Sequence, residues 1–188
     1  MVPVTVGANS VYGHILRVET NIFPKLVASK KLQAMDKNLM KEAIRLASEN
    51  IDNGGGPFGA VVVRNGEIVG RGTNRVTANN DPTAHAEVTA IRDASKNLGT
   101  FDLSDCEIYT SCEPCPMCLG AIYWARLRHI YYGNTQADAA RINFDDSFIY
   151  RQIEKPIGSR EIPETQCQHK EALATFRKWD EKTDKTPY

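Results

Sequence analysis

Two short segments carry the residues whose types and spacing could do chemistry: His85-Ala86-Glu87 and Pro114-Cys115-Pro116-Met117-Cys118. The two cysteines are three residues apart, so at the start of a helix their thiols project from the same side. The unpaired N–H groups and the positive dipole end of a helix start favour thiolates over thiols. Since the thiolate is the form that binds zinc, the spacing predicts one half of a zinc site.

His85 is the candidate for a third ligand, because it also lies in the first turn of a predicted helix. Two thiolates and a neutral imidazole balance the charge of Zn²⁺ and leave its fourth position to a water, whose pKa zinc lowers to about 7. Glu87 would not crowd the same coordination position, since residues two apart on a helix do not stack. Its carboxylate could accept the proton of that water and pass it to a leaving group. The pattern predicts a catalytic zinc held by His85, Cys115 and Cys118.

The cysteine pair taken alone leaves two other interpretations open. A structural zinc site would need a fourth ligand, for which Cys112 is the candidate. A redox pair would be exposed beside a βαβ unit, and it would give no role to His85 or Glu87. The catalytic interpretation is favoured because it uses all four residues. Cys112 is then expected to be a wall residue, and Cys106 and Cys167 ordinary thiols.

The surrounding periodicity supplies the elements that must position this chemistry. Asp36 can cap a helix that runs to the glycines at 54–56, and an Asn-Gly pair at 65–66 predicts a hairpin between strands at 59–63 and 68–75. Asp81 or Thr83 can cap the helix that carries His85. Its expected buried stripe is Ala84, Val88, Ile91, Ala94 and Leu98. A strand at 106–110, a helix at 115–125 and a strand at 129–132 complete an α/β layering in which helices cover a mixed sheet.

Length and composition exclude several classes of function. The chain has 188 residues, with 23 Lys plus Arg and 23 Asp plus Glu, so 23 − 23 gives a formal net charge of zero. A neutral chain has no electrostatic footprint for long nucleic acid or an anionic membrane. No apolar run approaches the roughly 18 residues that span a bilayer, and the N-terminus lacks the features of a secretory signal. Five cysteines, three of them within residues 112–118, fit a reducing compartment, so a cytoplasmic location is expected.

The chain divides into three segments. Residues 1–34 show no clear periodicity, and we interpret them as a dispensable N-terminal extension or as the result of an upstream start. Residues 35–155 hold all the elements above and form the predicted zinc domain. Residues 156–188 form a C-terminal tail with one amphipathic helix, whose apolar side carries Ala172, Phe176 and Trp179.

Four segments carry a resemblance to a known family: 56–61, 80–88, 110–125 and 144–150. The pattern H-x-E…P-C-x-x-C is the signature of zinc deaminases, and residues 36–188 resemble the cytidine deaminase-like superfamily. Within it, Phe144-Asp145-Asp146-Ser147-Phe148 and the terminal Tyr188 resemble the bacterial-type guanine deaminases. The resemblance implies a three-layer α/β/α fold with a mixed sheet of about five strands.

The resemblance also implies roles for individual residues. The family's zinc ligands fall on His85, Cys115 and Cys118, and its proton shuttle falls on Glu87. Asp146 would be a second proton carrier beside the exocyclic amine. The substrate-binding residues would be Phe58, Asn74, Ala86, Trp124 and Tyr188. Other roles stay open for these pocket residues: Asn74 could cap a turn, Phe58 and Trp124 could belong to the core, and Asp146 could cap a helix.

The implied reaction is hydrolytic deamination of guanine to xanthine and ammonia with one Zn²⁺ per subunit. The implied assembly is a homodimer in which the C-terminal segments are exchanged and Tyr188 covers the partner's pocket. Alternatives are deamination of guanosine, cytosine or an ammeline-type triazine, or of adenosine in tRNA, which the zero net charge disfavours. From a different class, an inactive zinc-binding module would leave Glu87 without a purpose.

Overall fold

A computed structural model describes residues 35–186, and these residues form seven helices and four strands. In chain order they are α1 (Lys37–Asp52), β1 (Gly59–Arg64), β2 (Glu67–Thr73), α2 (Val76–Asn79), α3 (Ala86–Leu98), β3 (Cys106–Cys112), α4 (Pro116–Trp124), β4 (Ile130–Asn134), α5 (Gln136–Arg141), α6 (Ser147–Glu154) and α7 (His169–Glu181). No helix within 35–186 is both long and apolar enough to cross a membrane. The extension at 1–34 and the terminal Tyr188 lie outside the described residues.

The four strands form one mixed sheet in the order β2-β1-β3-β4. β1 pairs antiparallel with β2 and with β3, whereas β3 and β4 are parallel. The predicted hairpin is confirmed: Asn65 and Gly66 both have positive φ, as a tight turn between two twisted strands requires. The described residues hold four strands where the resemblance implied about five.

Helices cover both faces of this sheet, which confirms the predicted three-layer α/β/α arrangement. On one face α1 packs through Leu39 and Ala43 against the side chains of β1 and β3. Asp36 caps α1 as predicted, since its side chain accepts the N–H of Asn38 at 2.8 Å. On the other face α3 and α4 pack against the alternate residues of the same strands. The hydrophobic cluster on this face consists of small and branched side chains. The two clusters bury the middle strands in a hydrophobic core. The ends of β3 and β4 therefore hold the loops that follow them in place.

The start of α3 differs from the prediction. Asp81 accepts hydrogen bonds from the backbone N–H and the hydroxyl of Thr83, so it closes a local turn and does not cap the helix. α3 begins at Ala86 with His85 at its N-cap, and no side chain caps it. The buried stripe is Ala86, Ala90 and Ala94 with Glu87, whereas Val88 of the predicted stripe is only partly buried. Small residues are required there because the backbone of β2 lies directly against the helix.

The helix of the C-terminal tail is confirmed as α7. None of its residues is buried by the described part of the chain. Phe176 is 73% exposed, and Leu173 and Trp179 are exposed on the same helix. The described residues therefore leave the apolar side of this helix uncovered.

Candidate active site

The three predicted metal ligands lie at the starts of two helices that face each other. His85 is the N-cap of α3, and Cys115 is the N-cap of α4, directly after the loop that ends β3. Pro116 occupies the first helical position of α4, where its missing N–H costs nothing. Cys118 lies one turn further and is fully buried. Two helix dipoles therefore place their positive ends at one cluster of donor atoms.

The distances within the cluster fit a tetrahedral zinc. The Nδ1 atom of His85 is 3.6 Å from the Sγ of Cys115 and 3.5 Å from the Sγ of Cys118. Usual Zn–S and Zn–N bonds of about 2.3 and 2.0 Å at a tetrahedral angle place sulfur and nitrogen about 3.5 Å apart. All three donor atoms lie within 4.8 Å of one another. The cluster offers three ligands, which is the number that a catalytic zinc takes from the protein.

The electrostatics of the cluster favour the thiolate form of Cys115. A hydrogen bond from Cys118 lowers the pKa of Cys115 to about 4; burial opposes this effect, and a further hydrogen bond from His85 supports it. The same hydrogen bond raises the pKa of Cys118, and burial adds to that rise. The pKa of His85 is raised, mainly by its hydrogen bond with Cys115. A bound Zn²⁺ would replace the shared protons and hold both sulfurs as thiolates.

Glu87 is a buried carboxyl beside these ligands. Its side chain is 6% exposed, and its Oε2 atom lies 3.3 Å from the Sγ of Cys118. Burial raises the pKa of Glu87, because a charged carboxylate loses its hydration there. A carboxyl with a raised pKa next to a metal site is suited to take up a proton and give it back. The structure thus brings Glu87 to the three ligands, as the sequence predicted.

A cavity of about 580 Å³ opens over this cluster. That volume is within the range of about 300–1,000 Å³ typical of small-molecule sites. Phe58, Asn74, Ala86 and Asp146, all proposed from the sequence, line it together with His85, Cys115 and Glu87. The Phe58 ring meets Phe144 edge-on, with centroids 4.9 Å apart, so two aromatic rings form one side of the cavity. A flat ring can therefore enter over the metal cluster between apolar and polar groups.

Asn74 is fixed from two sides. Its backbone oxygen accepts a hydrogen bond from the Asn50 side chain at 2.8 Å, and the same amide nitrogen of Asn50 donates to Gly56 at 2.8 Å. The Oδ1 atom of Asn74 accepts the N–H of Val76 at 3.3 Å, which is the turn-capping role that the sequence left open. The amide N–H₂ group of Asn74 carries two donors that can serve a ligand, while its oxygen already accepts one hydrogen bond.

Two neighbouring aspartates at the start of α6 have different partners. Asp145 accepts the N–H of Ser147 at 2.9 Å, and hydrogen bonds from the side chain and then the backbone of Ser147 lower the pKa of Asp145. Asp146 occupies the N-cap position, but its side chain caps no backbone N–H. It lies in the cavity wall instead, where Gln136 donates to its Oδ1 atom at 2.5 Å. The alternative that Asp146 caps the helix through its side chain is wrong.

The remaining predicted residues lie elsewhere. Trp124 is 61% exposed at the end of α4 and is not among the residues that line the cavity of the described chain. Tyr188 falls outside the described residues. Cys112 is buried in the cavity wall and takes no part in the three-residue metal cluster, as expected of a wall residue. No role was assigned from the sequence to Gln136 or Phe144 of this wall, or to Asn50, which holds the backbone of Asn74, because their contacts join different segments of the chain.

Comparisons with known proteins agree with this geometry. Residues 33–134 match the family model described as the cytidine and deoxycytidylate deaminase zinc-binding region. Guanine deaminase from Bacillus subtilis (strain 168) is 54% identical over 153 residues, which are 81% of this chain and 98% of that relative. The X-ray structure of guanine deaminase from Bacillus subtilis has a TM-score of 0.79 at 53% identity, covering 82% of this chain and 99% of the other.

Two more distant relatives differ in the substrate that their names state. The structure of guanine deaminase from Nitrosomonas europaea has a TM-score of 0.58 at 34% identity and covers 64% of this chain and 70% of its own. A tRNA-specific adenosine deaminase of Buchnera aphidicola is 36% identical over 145 residues, 76% of this chain and 88% of that relative. The chain therefore belongs to the cytidine and deoxycytidylate deaminase zinc-binding family, within the guanine deaminases, and its cofactor is zinc.

Proposed function

We propose that the chain hydrolyses guanine to xanthine and ammonia. The observation that carries this proposal is the buried carboxyl of Glu87 beside a three-ligand zinc cluster, at the base of a cavity with two aromatic rings in its wall. Relatives named guanine deaminase at 54% and 34% identity support guanine as the substrate. Water and guanine are the reactants, and the exocyclic amino group leaves as ammonia while oxygen takes its place on the same ring carbon.

Zinc held by His85, Cys115 and Cys118 would supply Lewis acidity, which makes a water nucleophilic near neutral pH. Glu87 takes a proton from the attacking water and delivers it to the ring nitrogen next to the carbon under attack. Its burial suits this task, because a carboxyl with a raised pKa holds the proton until the ring accepts it. Asp146, at the cavity wall, then helps to protonate the departing amine.

The ring itself is recognised by the side chains above the cluster. Asn74 offers amide donors to the acceptor edge of the base, and Phe58 with Phe144 packs against its apolar surface. Ala86 lines the cavity with a small side chain, which leaves room for a flat ring. The apolar walls keep bulk water away from the reacting atoms.

The same proposal includes a homodimer with exchanged C-terminal segments, residues 156–188. It is supported by α7, whose apolar side the described residues of one subunit do not bury. An exchanged segment covers such a side at low cost, since it reuses contacts that the chain already encodes. Tyr188 would then close the partner's cavity. Residues 1–34 are proposed to be dispensable for this assembly.

An ammonia-release assay on guanine, guanosine, cytosine, adenine and ammeline, with and without a zinc chelator, tests the proposal. We expect ammonia from guanine at the highest rate, and loss of that activity on chelation with recovery when Zn²⁺ is returned. Faster release from another substrate would transfer the proposal to that substrate's class. Release from none of them by the zinc-loaded protein would contradict it.

A further inference from the structure

The first residue of α5 is held rigidly at the edge of the cavity. Thr135 and Asp138 form a reciprocal capping box, in which the Thr135 hydroxyl donates to the Asp138 carboxylate at 2.7 Å. The next backbone N–H, that of Gln136, donates to the carboxylate of Glu113 at 3.0 Å. Glu113 is itself anchored, because its N–H donates to Asn134 at 2.8 Å. The position of Gln136 is therefore fixed by both β4 and the loop that leads to Cys115.

The Gln136 side chain spans from this fixed point to the carboxylate of Asp146. Its Nε2 atom lies 2.5 Å from the Oδ1 atom of Asp146, and both residues line the cavity. The amide nitrogen must face the carboxylate, since an ionised carboxylate accepts hydrogen bonds and cannot donate them. Hydrogen bonds to a carboxylate are among the stronger hydrogen bonds in a protein. One oxygen of Asp146 is thereby held, and the other is left for the cavity.

The neighbouring aspartate makes the contrast clear. Asp145 satisfies a backbone N–H of its own helix, as an aspartate before a helix usually does. Asp146 makes no such local bond and is instead turned toward α5 by Gln136. Without this donor, nothing that we observe within residues 35–186 would stop its carboxylate from rotating toward the N–H groups of α6.

We propose that Gln136 is a positioning residue that aims the Asp146 carboxylate at the departing amine. This inference rests on the proposed function, because it concerns the proton that Asp146 carries in that reaction. Gln136 acts through Asp146 and does not itself exchange a proton with the substrate. Its backbone N–H bonds Glu113, in the loop that leads to Cys115, and its side chain bonds Asp146. Gln136 therefore fixes the position of Asp146 relative to that loop.

The test is a double-mutant cycle on the full-length, zinc-loaded protein with guanine as substrate. Gln136→Leu removes the donor and keeps the side-chain volume; we expect kcat to fall about tenfold while KM changes less than about threefold, as a misplaced catalytic group would cause. Gln136→His keeps an N–H donor at similar reach and is expected to recover most of the loss. Gln152→Leu is the matched control, since Gln152 also donates to a carboxylate, that of Glu161, but does not line the cavity. We expect no change in kcat for it.

The deciding result is the effect of Gln136→Leu in an Asp146→Asn background. If Gln136 acts through the carboxylate, the two losses are not additive, and the double variant has the same kcat as Asp146→Asn alone. An equal tenfold loss in both backgrounds, or no loss from Gln136→Leu in the wild-type background, would overturn the inference while leaving the proposed function intact. A wild-type protein without ammonia release from guanine would refute the proposed function and this role together.

Discussion

Gly72→Ala is the substitution for which the structure gives the sharpest expectation. Gly72 lies in β2 against the first turn of α3, and a Cβ atom added there would be 2.1 Å from the backbone oxygen of Ala86 and 2.3 Å from the backbone nitrogen of Ala90. Neither atom belongs to a side chain that could rotate away. The helix must therefore move away from the strand by more than about 1 Å to restore ordinary contact distances.

This movement would affect stability and the metal cluster together. Overpacking of a filled core costs about 1–3 kcal/mol, and a backbone-to-backbone clash is expected at the upper end, about 3 kcal/mol. The displaced turn begins at His85 and contains Glu87, whereas Cys115 and Cys118 on α4 do not move with it. The 3.5–3.6 Å distances between His85 and the two sulfurs would change, so zinc affinity should fall about 10- to 100-fold.

Urea unfolding of the zinc-loaded protein and a competition assay with a chelator measure the two effects. Gly66→Ala is the control on the same hairpin, since a Cβ there meets nothing within 4 Å and only the positive φ is strained. It should cost about 1 kcal/mol and leave the zinc affinity unchanged. A Gly72→Ala protein as stable as the Gly66→Ala protein, with wild-type zinc affinity, would refute the close packing of β2 on α3.

Three further predictions follow from other contacts. Cys115→Ala should lose zinc and unfold at a lower urea concentration than the wild type, because the metal joins the starts of α3 and α4. The zinc content of the purified protein and urea unfolding measure the two effects, and a normal zinc content would exclude Cys115 as a ligand. Mixing a protein that lacks residues 182–188 with Glu87→Ala chains should recover about a quarter of wild-type activity. Half of the randomly paired dimers would then be mixed, and each mixed dimer would hold one complete site of two. Subunit exchange without recovered activity would refute the donated tail. The pKa of Glu42 is lowered to about 2, chiefly by the hydrogen bond from Arg45 and further by Arg71. The contribution of Glu42 to the free energy of unfolding is therefore present above its ordinary pKa of 4.5 and is lost as the pH falls toward 2. Glu42→Gln should thus destabilise the protein by about 1 kcal/mol or less at pH 7 in urea unfolding, and the difference should shrink as the pH falls from 4.5 to about 2. A difference that stays constant over this range would refute the ion pair as its cause.

The parts of this protein that could be predicted from its sequence are those that local pattern determines. The cysteine pair and His85 each follow a helix-start pattern, and the structure places all three side chains within one cluster. The hairpin at Asn65-Gly66 and the cap at Asp36 were likewise set by the residues next to them. Resemblance supplied Phe58, Asn74 and Asp146, which a pattern of spacing alone would not have selected.

The parts that could not be predicted depend either on competing local hydrogen bonds or on contacts between different elements of the fold. The sequence predicts Asp81 or Thr83 as the cap of α3, but the hydroxyl and N–H of Thr83 donate to the Asp81 carboxylate and neither side chain caps the helix. Alanines line the buried side of α3 because the backbone of β2 at Gly70 and Gly72 lies directly against the helix. The periodicity of the helix sequence does not reveal this contact. The role of Gln136 depends on a bond to a residue ten positions away in a different helix.

The most direct test of the central claim is zinc content measured together with guanine turnover in Glu87→Gln. The change removes no ligand and keeps the side-chain shape, so zinc should remain at one per subunit. It removes the group that carries the proton, so kcat for ammonia release should fall by about 10²- to 10⁴-fold. Normal zinc content with this loss is the result that we expect. Near-normal turnover with zinc bound would contradict the account.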